Sequence, residues 1–362
     1  MGIKNLNTLI LQYCKKSINT KHLSEYKKKK ITIDENVYIY KYLYGNNNSI
    51  NGIFFLVNKL KKHDIIPIFI FDGKPPIEKE PTLILRKSNK IKLKNKIINY
   101  NKSIELLDLD TSINNLEKEK LKLKFYKEIE NLNNKLVFIT KEVISNITTL
   151  FEYMGVNYIF APCEAEHYCS ALIKNNIVDL VLSEDMDTIA CGSKLTLRKF
   201  SNKFDYIIEY DLNMLLSELN LKYDEFIDLC ILCGNDYVNK LREIDYKLAY
   251  KLIKKYKNIE EIQKKCNLIK FPKDYDYITS RNIYKLNNIN IDIYDVININ
   301  TIKKPNILNL KKFLKVNSTI DEKIYTHRIQ KMYNTKKDFK MNFVKSSYVP
   351  FNSKFQNSLI KI

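Results

Sequence analysis

Acidic side chains follow predicted strands at four separate places in the sequence, and one more follows a pair of predicted helices. The seven acids are Asp34, Asp72, Glu164, Glu166, Asp185, Asp187 and Asp236. In a doubly wound sheet, sites gather at the carboxyl ends of the strands, so we expect six of the acids to meet at one rim and the seventh to fold back to it. Without cations, so many neighbouring carboxylates would repel one another and several would stay protonated.

Hard divalent cations remove this repulsion, and ligation by oxygen alone favours Mg²⁺, for which Mn²⁺ can substitute. Two such ions about 4 Å apart can activate a water and stabilise a leaving oxygen when a phosphodiester is hydrolysed. A single Asp after a strand is weak evidence, because Asp is common in turns. Seven acids at consistent places predict a two-metal site for phosphodiester hydrolysis.

Other reactive residue types form weaker patterns. The sequence shows no Ser-His-Asp order and no glycine-rich phosphate loop of the P-loop type. Its seven cysteines follow no disulfide framework, and we expect Cys230 and Cys233, three residues apart in an apolar stretch, to be buried. His167 directly follows Glu166, and we expect a partly buried structural role for it.

Alternating strands and helices must position these acids. Apolar stretches predict strands at 30–34, 65–71, 156–160, 178–182, 195–200 and 206–210. Helices are predicted at 36–44, in a second segment ending near residue 63, at 163–174 and, as a pair, at 211–234. Residues 82–154 contain neither glycine nor proline, so this segment is predicted to be helical. The alternation predicts an α/β fold with a doubly wound, mostly parallel sheet and helices on both faces.

The chain is strongly basic, with a formal net charge of +20 from 61 Lys and Arg against 41 Asp and Glu. Such a charge favours a polyanionic partner, because each cation set against a phosphate releases counterions. A compositional bias toward Lys, Asn and Ile explains much of the Lys count equally well, so charge alone decides little. No apolar run is long enough to cross a bilayer and the N-terminus is too polar for a secretory signal, so we expect a soluble intracellular protein.

At five ordered motifs the sequence resembles the flap endonuclease family, the structure-specific 5′ nucleases. The resemblance begins at Met1–Leu6 and covers about residues 1–256, with a fainter echo from Pro305 to Glu322. The motifs are Ile33-Asp34 with Tyr38–Tyr40, Phe71–Pro76, Ala161–Glu166, Glu184–Asp187 and Gly234–Tyr237. Their order and spacing are specific to the superfamily, though less so to one member.

The resemblance implies a role for each matching residue. The seven acids would hold two Mg²⁺ ions, directly or through water. Lys79 and Arg86 fall where the family carries basic residues that steer and polarise the scissile phosphate. Pro81 prefers the first turn of a helix, so Lys79 is expected just outside that helix. Tyr40 matches a position where an aromatic ring stacks on a base of the substrate.

The resemblance also implies a PIN-like nuclease fold with five regions. Residues 1–85 would form an N-terminal nuclease region and 86–135 a helical arch over the active site, where a single-stranded 5′ end would thread or be clamped. Residues 136–235 would form an internal nuclease region. Residues 236–300 would form a helix–turn–helix-type duplex-binding region, and 301–362 a C-terminal helical segment and tail.

Two departures from the family pattern stand out. Where the family carries a Gly-Ile-Gly hairpin that holds phosphate, this sequence has Arg242-Glu-Ile-Asp245. Duplex anchoring would then depend on Lys247, Lys251 and Lys254. The tail, Gln356–Ile362, lacks the aromatic pair of a sliding-clamp box. Together with the Asn, Ile and Lys bias, these departures resemble the poxvirus branch of the family.

The favoured hypothesis is a Mg²⁺-dependent flap endonuclease and 5′ exonuclease acting on branched or 5′-ended DNA in replication, recombination and repair. Replication and recombination proteins are its expected partners. A poxvirus-type protein would work at cytoplasmic viral replication sites, and any other member in the nucleus. The alternatives are a Holliday-junction-resolving or purely exonucleolytic member of the superfamily, a non-catalytic DNA-branch binder, and a related nuclease directed at RNA.

Overall fold

The computed structural model describes residues 2–46, 48–267, 269–286 and 289–334. The predicted absence of a sliding-clamp box concerns residues 356–362, which lie outside the described residues. The strands are β1 (Ile18–His22), β2 (Lys30–Asp34), β3 (Ile66–Phe71), β4 (Asn157–Phe160), β5 (Leu180–Leu182), β6 (Leu195–Arg198) and β7 (Tyr206–Asp211).

Sixteen helices are found in the described residues. They are α1 (Leu6–Tyr13), α2 (Glu35–Asn46), α3 (Ser49–Lys62), α4 (Glu80–Leu109), α5 (Asn115–Lys135), α6 (Lys141–Met154), α7 (Ala165–Lys174), α8 (Asp187–Ala190), α9 (Leu212–Leu219), α10 (Tyr223–Cys233), α11 (Tyr246–Tyr256), α12 (Ile259–Lys265), α13 (Tyr277–Lys285), α14 (Ile293–Asn300), α15 (Ile307–Asn317) and α16 (Glu322–Asn334). In the described part of the chain, none of them is long and apolar enough to cross a membrane.

The strands form one sheet in the order β1-β7-β6-β5-β2-β3-β4. Strands β2 to β6 pair in parallel, and only the pairings of β7, with β6 and β1, are antiparallel. The chain runs outward from β2 through β3 to β4, then crosses back to β5 on the other side of β2. This reversal is a topological switch point, and a crevice opens there at the carboxyl ends of β2 and β5.

The predicted mostly parallel, doubly wound sheet is confirmed. The prediction omitted two elements near the N-terminus, one helix and one strand. The predicted strands begin at residue 30, but helix α1 and the edge strand β1 precede them. Strand β1 has the sequence INTKH and carries no fully buried residue, so it lacks the apolar pattern by which strands are recognised. Its place in the sheet comes from its pairing with β7 rather than from its own composition.

The buried apolar residues that the structure describes form three clusters, and alternate residues of β3 face two of them. In β3, Phe69 and Phe71 pack on one face, where the Phe69 ring stacks on Phe151 of α6 with centroids 4.2 Å apart. Ile68 and Ile70 pack on the other face, against α7. A strand buried on both faces reads as a continuous apolar run, which is why this strand was predictable.

Helices α4 and α5 form a pair that contributes no residue to the three buried clusters. Among their residues only Ile104 and Leu132 are buried, and the two helices pack against each other through rings such as Tyr100 and Phe125. Pro81 lies in the first turn of α4. The segment predicted to be helical is therefore three helices, separated at residues 110–114 and 136–140. The pair spans the segment expected to form an arch, and the division into five regions stays a prediction.

Candidate active site

The switch point brings the first and fifth of the predicted acids together. Asp34 is the last residue of β2, and Asp185 follows β5. The Ser183 hydroxyl donates a hydrogen bond to Asp34 Oδ2 (3.1 Å) and accepts one from the Asp185 backbone N–H (3.0 Å). One serine side chain thus ties the end of β2 to the loop after β5.

Asp72 is held at the amino end of α7 by the backbone. Its Oδ1 accepts a hydrogen bond from the Ala165 N–H at 2.8 Å, where the positive end of the helix dipole favours a carboxylate. The next residue, Gly73, donates its N–H to the Cys163 carbonyl at 2.8 Å. A Cβ on Gly73 would lie 1.8 Å from the Ala161 carbonyl oxygen, so only glycine permits this approach.

Helix α7 presents two acids and a histidine to the same place. Glu164 occupies the N-cap position, Glu166 lies in the first turn, and both are buried. Ligand atoms of Glu164, Glu166 and His167 lie within 4.8 Å of one another. The Tyr237 hydroxyl donates to Glu164 Oε2 (3.1 Å) and lies 3.1 Å from His167 Nε2. Burial, and then the charge of Lys79, lower the pKa of His167 to about 3, so its imidazole is neutral at physiological pH.

Asp185 and Asp187 form a compact turn with the N-terminal segment packed on it. The Asp187 N–H donates to Asp185 Oδ1 at 3.1 Å, and the buried Tyr284 hydroxyl lies 3.4 Å from Asp187 Oδ1. Gly2 has φ of +76°, and a Cβ there would lie 2.0 Å from Asp185 Oδ1. Sequence reasoning missed Gly2 and Tyr284 as neighbours of these acids. For Gly2 the sequence carries one signal, the Met-Gly start shared with the family.

Two basic side chains near the amino end of α4 contact the acids. Lys79 ends a short 3₁₀ turn just before the helix, and it is buried rather than solvated. Its Nζ contacts Glu164 directly and lies 3.7 Å from Asp236 and 3.8 Å from Glu166. Arg86, two turns along the helix, donates to Asp236 Oδ2. Lys79 therefore lies among the acids, outside α4 as predicted.

Burial and mutual repulsion raise the pKa values of several of the acids above their ordinary range. Burial is the largest cause of the raised pKa values of Asp34, Glu166 and Asp187, and neighbouring carboxylates add to it in each case. For Lys79, burial opposes the charged form, but Glu166 and Glu164 outweigh it and raise the pKa above its ordinary value. The site contains seven carboxylates and two basic side chains, so most of its negative charge is not neutralised by protein cations. Such a group of oxygen ligands fits hard divalent cations.

The residues predicted to touch DNA lie at two places outside the acid cluster. Tyr40 on α2 is half-buried, stacks on Tyr44 (centroids 6.1 Å apart) and lies 5.7 Å below Lys90 Nζ. Lys247 and Lys251 are exposed one turn apart on α11. Neither forms a hydrogen bond or ion pair with the seven acids in the described part of the chain. Lys254 is directed toward the Leu219 and Asn220 carbonyls at the end of α9, at 3.4 and 3.5 Å.

The segment Arg242–Asp245, where the sequence departs from the family pattern, leads into α11. Asp245 caps α11, since its Oδ1 accepts the Leu248 N–H at 2.7 Å. Ile244 is fully buried in the core, while Arg242 and Glu243 are exposed. Asp245 thus starts the helix and Ile244 anchors the segment that leads into it. Cys230 and Cys233 are both buried, as predicted.

Comparison with known proteins decides the family. The XPG N-terminal domain model matches residues 1–93, and the XPG I-region model matches residues 155–236. Flap endonuclease 1 of Entamoeba histolytica is 32% identical over 359 residues, covering 93% of this chain and 88% of the relative. Flap endonuclease 1-A of Sorghum bicolor is 30% identical over 370 residues, covering 97% and 91%. This chain belongs to the flap endonuclease family.

Solved structures support the same PIN-like nuclease fold. The catalytic core of Rad2 in complex with a DNA substrate superposes with a TM-score of 0.69 at 18% identity, covering 91% of this chain and all of the other. The flap endonuclease-1 from Methanococcus jannaschii superposes with a TM-score of 0.61 at 22% identity, covering 89% and 97%. As a flap endonuclease family member, the protein is a DNA nuclease, a hydrolase of the structure-specific 5′ class.

Proposed function

We propose that this protein is a Mg²⁺-dependent flap endonuclease and 5′ exonuclease that hydrolyses DNA phosphodiesters with two metal ions. The observation that carries the proposal is the convergence of carboxylates on one crevice. They come from the end of β2, the residue after β3, the start of α7, the loop after β5 and the loop after α10. Asp34, Asp72, Glu164, Glu166, Asp185, Asp187 and Asp236 would hold the ions. Bound divalent cations supply the charge that activates a water and stabilises a leaving oxygen.

The protein's own residues would orient the substrate around this crevice. Arg86 lies on the face of α4 that meets Asp236, so its guanidinium would pair with the scissile phosphate at the edge of the acid cluster. Lys79 forms ion pairs with three acids, so we assign it to balancing their charge and to polarising the phosphate from within the cluster. Tyr40, whose pKa is raised by burial and in part by the nearby charge of Asp72, would stack on a base, and Lys247 and Lys251 would contact duplex phosphates.

Two variants and a matched control test the catalytic proposal. Asp72→Ala and Asp185→Ala each remove one proposed metal ligand, and each should lower the cleavage rate of a 5′ flap by at least 100-fold, the scale on which enzymes lose rate when a catalytic group is displaced. Asp179→Ala removes an acid at the opposite end of β5, where it pairs with Lys29 at 2.9 Å, and should leave the rate unchanged. EDTA should abolish cleavage and Mg²⁺ should restore it.

A substrate panel separates this proposal from its alternatives. The wild type should cut a 5′ flap faster than blunt duplex, nicked duplex or a four-way junction, and a DNA flap faster than its RNA counterpart. A preference for the four-way junction would favour a resolving enzyme. Human GEN1, which has been solved in complex with Holliday junction DNA, is similar in fold at a TM-score of 0.61 and 16% identity. Binding to every branch with no cutting would favour a non-catalytic DNA-branch binder.

The cellular setting follows from the proposed activity. We propose that the protein acts on branched and 5′-ended DNA in replication, recombination and repair, with the proteins of those pathways as partners. A cellular member of the family would act in the nucleus. A poxvirus member would act at viral replication sites in the cytoplasm. Assignment to the poxvirus branch stays a prediction, because the relatives reported above are flap endonucleases of cellular organisms and lend it no support.

A further inference from the structure

An exposed phenylalanine lies just after the carboxyl end of α5. Phe138 lies in the irregular segment between α5 and α6, and 44% of its surface is exposed. Its neighbours on either side, Val137 and Ile139, face inward, since Val137 is buried and Ile139 packs against the core below α6. The chain therefore anchors itself through the two flanking side chains and turns the Phe138 ring outward.

Two lysine side chains lie close to the same ring, and one of them is also close to Tyr40. Lys90 Nζ lies 4.3 Å from the Phe138 centroid and 5.7 Å from the Tyr40 centroid, so one ammonium is flanked by both rings. Lys94 Nζ lies 5.1 Å from the Phe138 centroid. Lys90 is also fixed by donating to the Val137 carbonyl at 2.9 Å. The two aromatic rings thus face a common space beside α4.

This space continues the path that begins at the acid cluster. Arg86, Lys90 and Lys94 are spaced four residues apart along α4, which places them on one side of the helix at intervals of about 6 Å. Arg86 reaches Asp236 at the lower end, and Lys94 reaches Phe138 at the upper end. A single strand leaving the acid cluster along this side would meet a cation at each turn for its phosphates and the two rings for its bases.

We propose that Phe138 is a substrate-positioning residue: with Tyr40 it forms a pair of aromatic platforms that hold a nucleobase of the single-stranded 5′ segment, while Lys90 and Lys94 bind the adjacent phosphates. This inference rests on the proposed 5′ nuclease function and specifies how that site holds its substrate. An apolar ring in water gains from stacking on a base of any type, which suits an enzyme that recognises DNA shape rather than sequence.

Side-chain replacements test whether the ring acts through stacking. Phe138→Leu keeps an apolar side chain but removes the ring, and should raise both KM and the dissociation constant for a 5′-flap DNA by about 5- to 150-fold with little change in kcat. Phe138→Tyr keeps the ring and should restore both values. An abasic residue at the stacked position of the single strand should remove the difference between the Phe138→Leu variant and the wild type. Equal losses on intact and abasic DNA would overturn the proposal.

Fluorescence gives a readout that does not depend on cleavage. The chain contains no tryptophan, so Phe138→Trp introduces a single indole at the proposed platform. Its emission should be quenched by 5′-flap DNA with Ca²⁺ in place of Mg²⁺, and less so by the abasic flap. Tyr294→Trp, at a ring that is 76% exposed on α14, is the control and should change little.

The two measurements separate the inference from the function on which it rests. Quenching at position 138 no stronger than at position 294 would overturn the stacking role, even in an enzyme that cuts flaps normally. Strong, base-dependent quenching in a protein that cuts no substrate would support the stacking role and refute the proposed nuclease mechanism instead.

Discussion

Replacing Gly73 with alanine is expected to disturb both the fold and the site, because this residue joins β3 to the loop after β4. An added Cβ would lie 1.8 Å from the Ala161 carbonyl oxygen and 2.9 Å from the Pro162 carbonyl carbon, while real Cβ contacts stay above 3.0 Å. Both neighbours are backbone atoms, which cannot turn aside as a flexible side chain can. The two segments must therefore separate by more than about 1 Å.

The separation has a cost that can be worked from the contacts. Forcing an extra methyl group into a packed position costs about 1–3 kcal/mol. The Gly73 N–H to Cys163 carbonyl hydrogen bond, worth about 1 kcal/mol, is strained at the same time. Together they lower the free energy of unfolding by about 2–4 kcal/mol. With about 2.1 cal/mol/K of unfolding entropy per residue, a chain of 362 residues loses about 3–5 °C in melting temperature.

The site should suffer more than the fold. Asp72 precedes Gly73 and is aligned by the Ala165 N–H, so a shift of about 1 Å would misplace its carboxylate and lower kcat by about 100-fold. Thermal unfolding and flap-cleavage kinetics measure the two effects. Gly45→Ala is the matched control, because Gly45 lies in α2 with nothing within 4 Å of an added Cβ. It should gain about 0.5–1 kcal/mol and keep full activity. A Gly73→Ala protein that melts and cuts like the wild type would refute this reasoning.

Three further predictions concern charge. Burial raises the pKa of Asp187, so its contribution to stability is present below about pH 4 and is lost as the pH rises through the folded-state pKa. Asp187→Asn should therefore stabilise the protein in EDTA at pH 8 by about 1–3 kcal/mol, measured by thermal unfolding. This gain should shrink toward pH 4. Arg281 binds the buried Asp228 through two hydrogen bonds of 2.8 Å, so Arg281→Met should cost about 3–5 kcal/mol in urea unfolding, and a loss below 1 kcal/mol would contradict this. Affinity for flap DNA should fall by about 10³–10⁵-fold between 50 and 200 mM salt if six to ten phosphates are contacted, and a flat salt profile would exclude such contact.

Several features of the site could be predicted because they are written in local patterns. The apolar run of β3 and the alternation of strands with helices indicated a parallel sheet, and a parallel sheet places the ends of its strands at one rim. Asp34, Asp72 and Asp185 follow strands, so their meeting at the rim follows from that pattern alone. The five ordered motifs indicated the family for the same reason, since order and spacing along the chain are properties of the sequence.

Other features depended on packing between segments that are distant in the sequence. Burial of Lys79 comes from the approach of α7 and the loop carrying Asp236, which no property of residues 77–81 indicates. The place of β1 comes from its partner β7, and the place of Gly2 from the turn at Asp185. The outward orientation of the Phe138 ring is visible only once Val137 is seen to be buried and Ile139 to pack against the core.

The sequence by itself determined which side chains could bind cations and on which elements they lie, because residue type and periodicity are fixed by the chain. Only the tertiary structure decided how their charges are balanced, which ones are desolvated, and which glycines permit the close approach of two backbones. Those properties depend on distances through space between residues such as Gly73 and Ala161, or Lys79 and Glu164, that lie about 90 residues apart along the chain. Electrostatic and steric energies depend on such distances and not on separation in sequence.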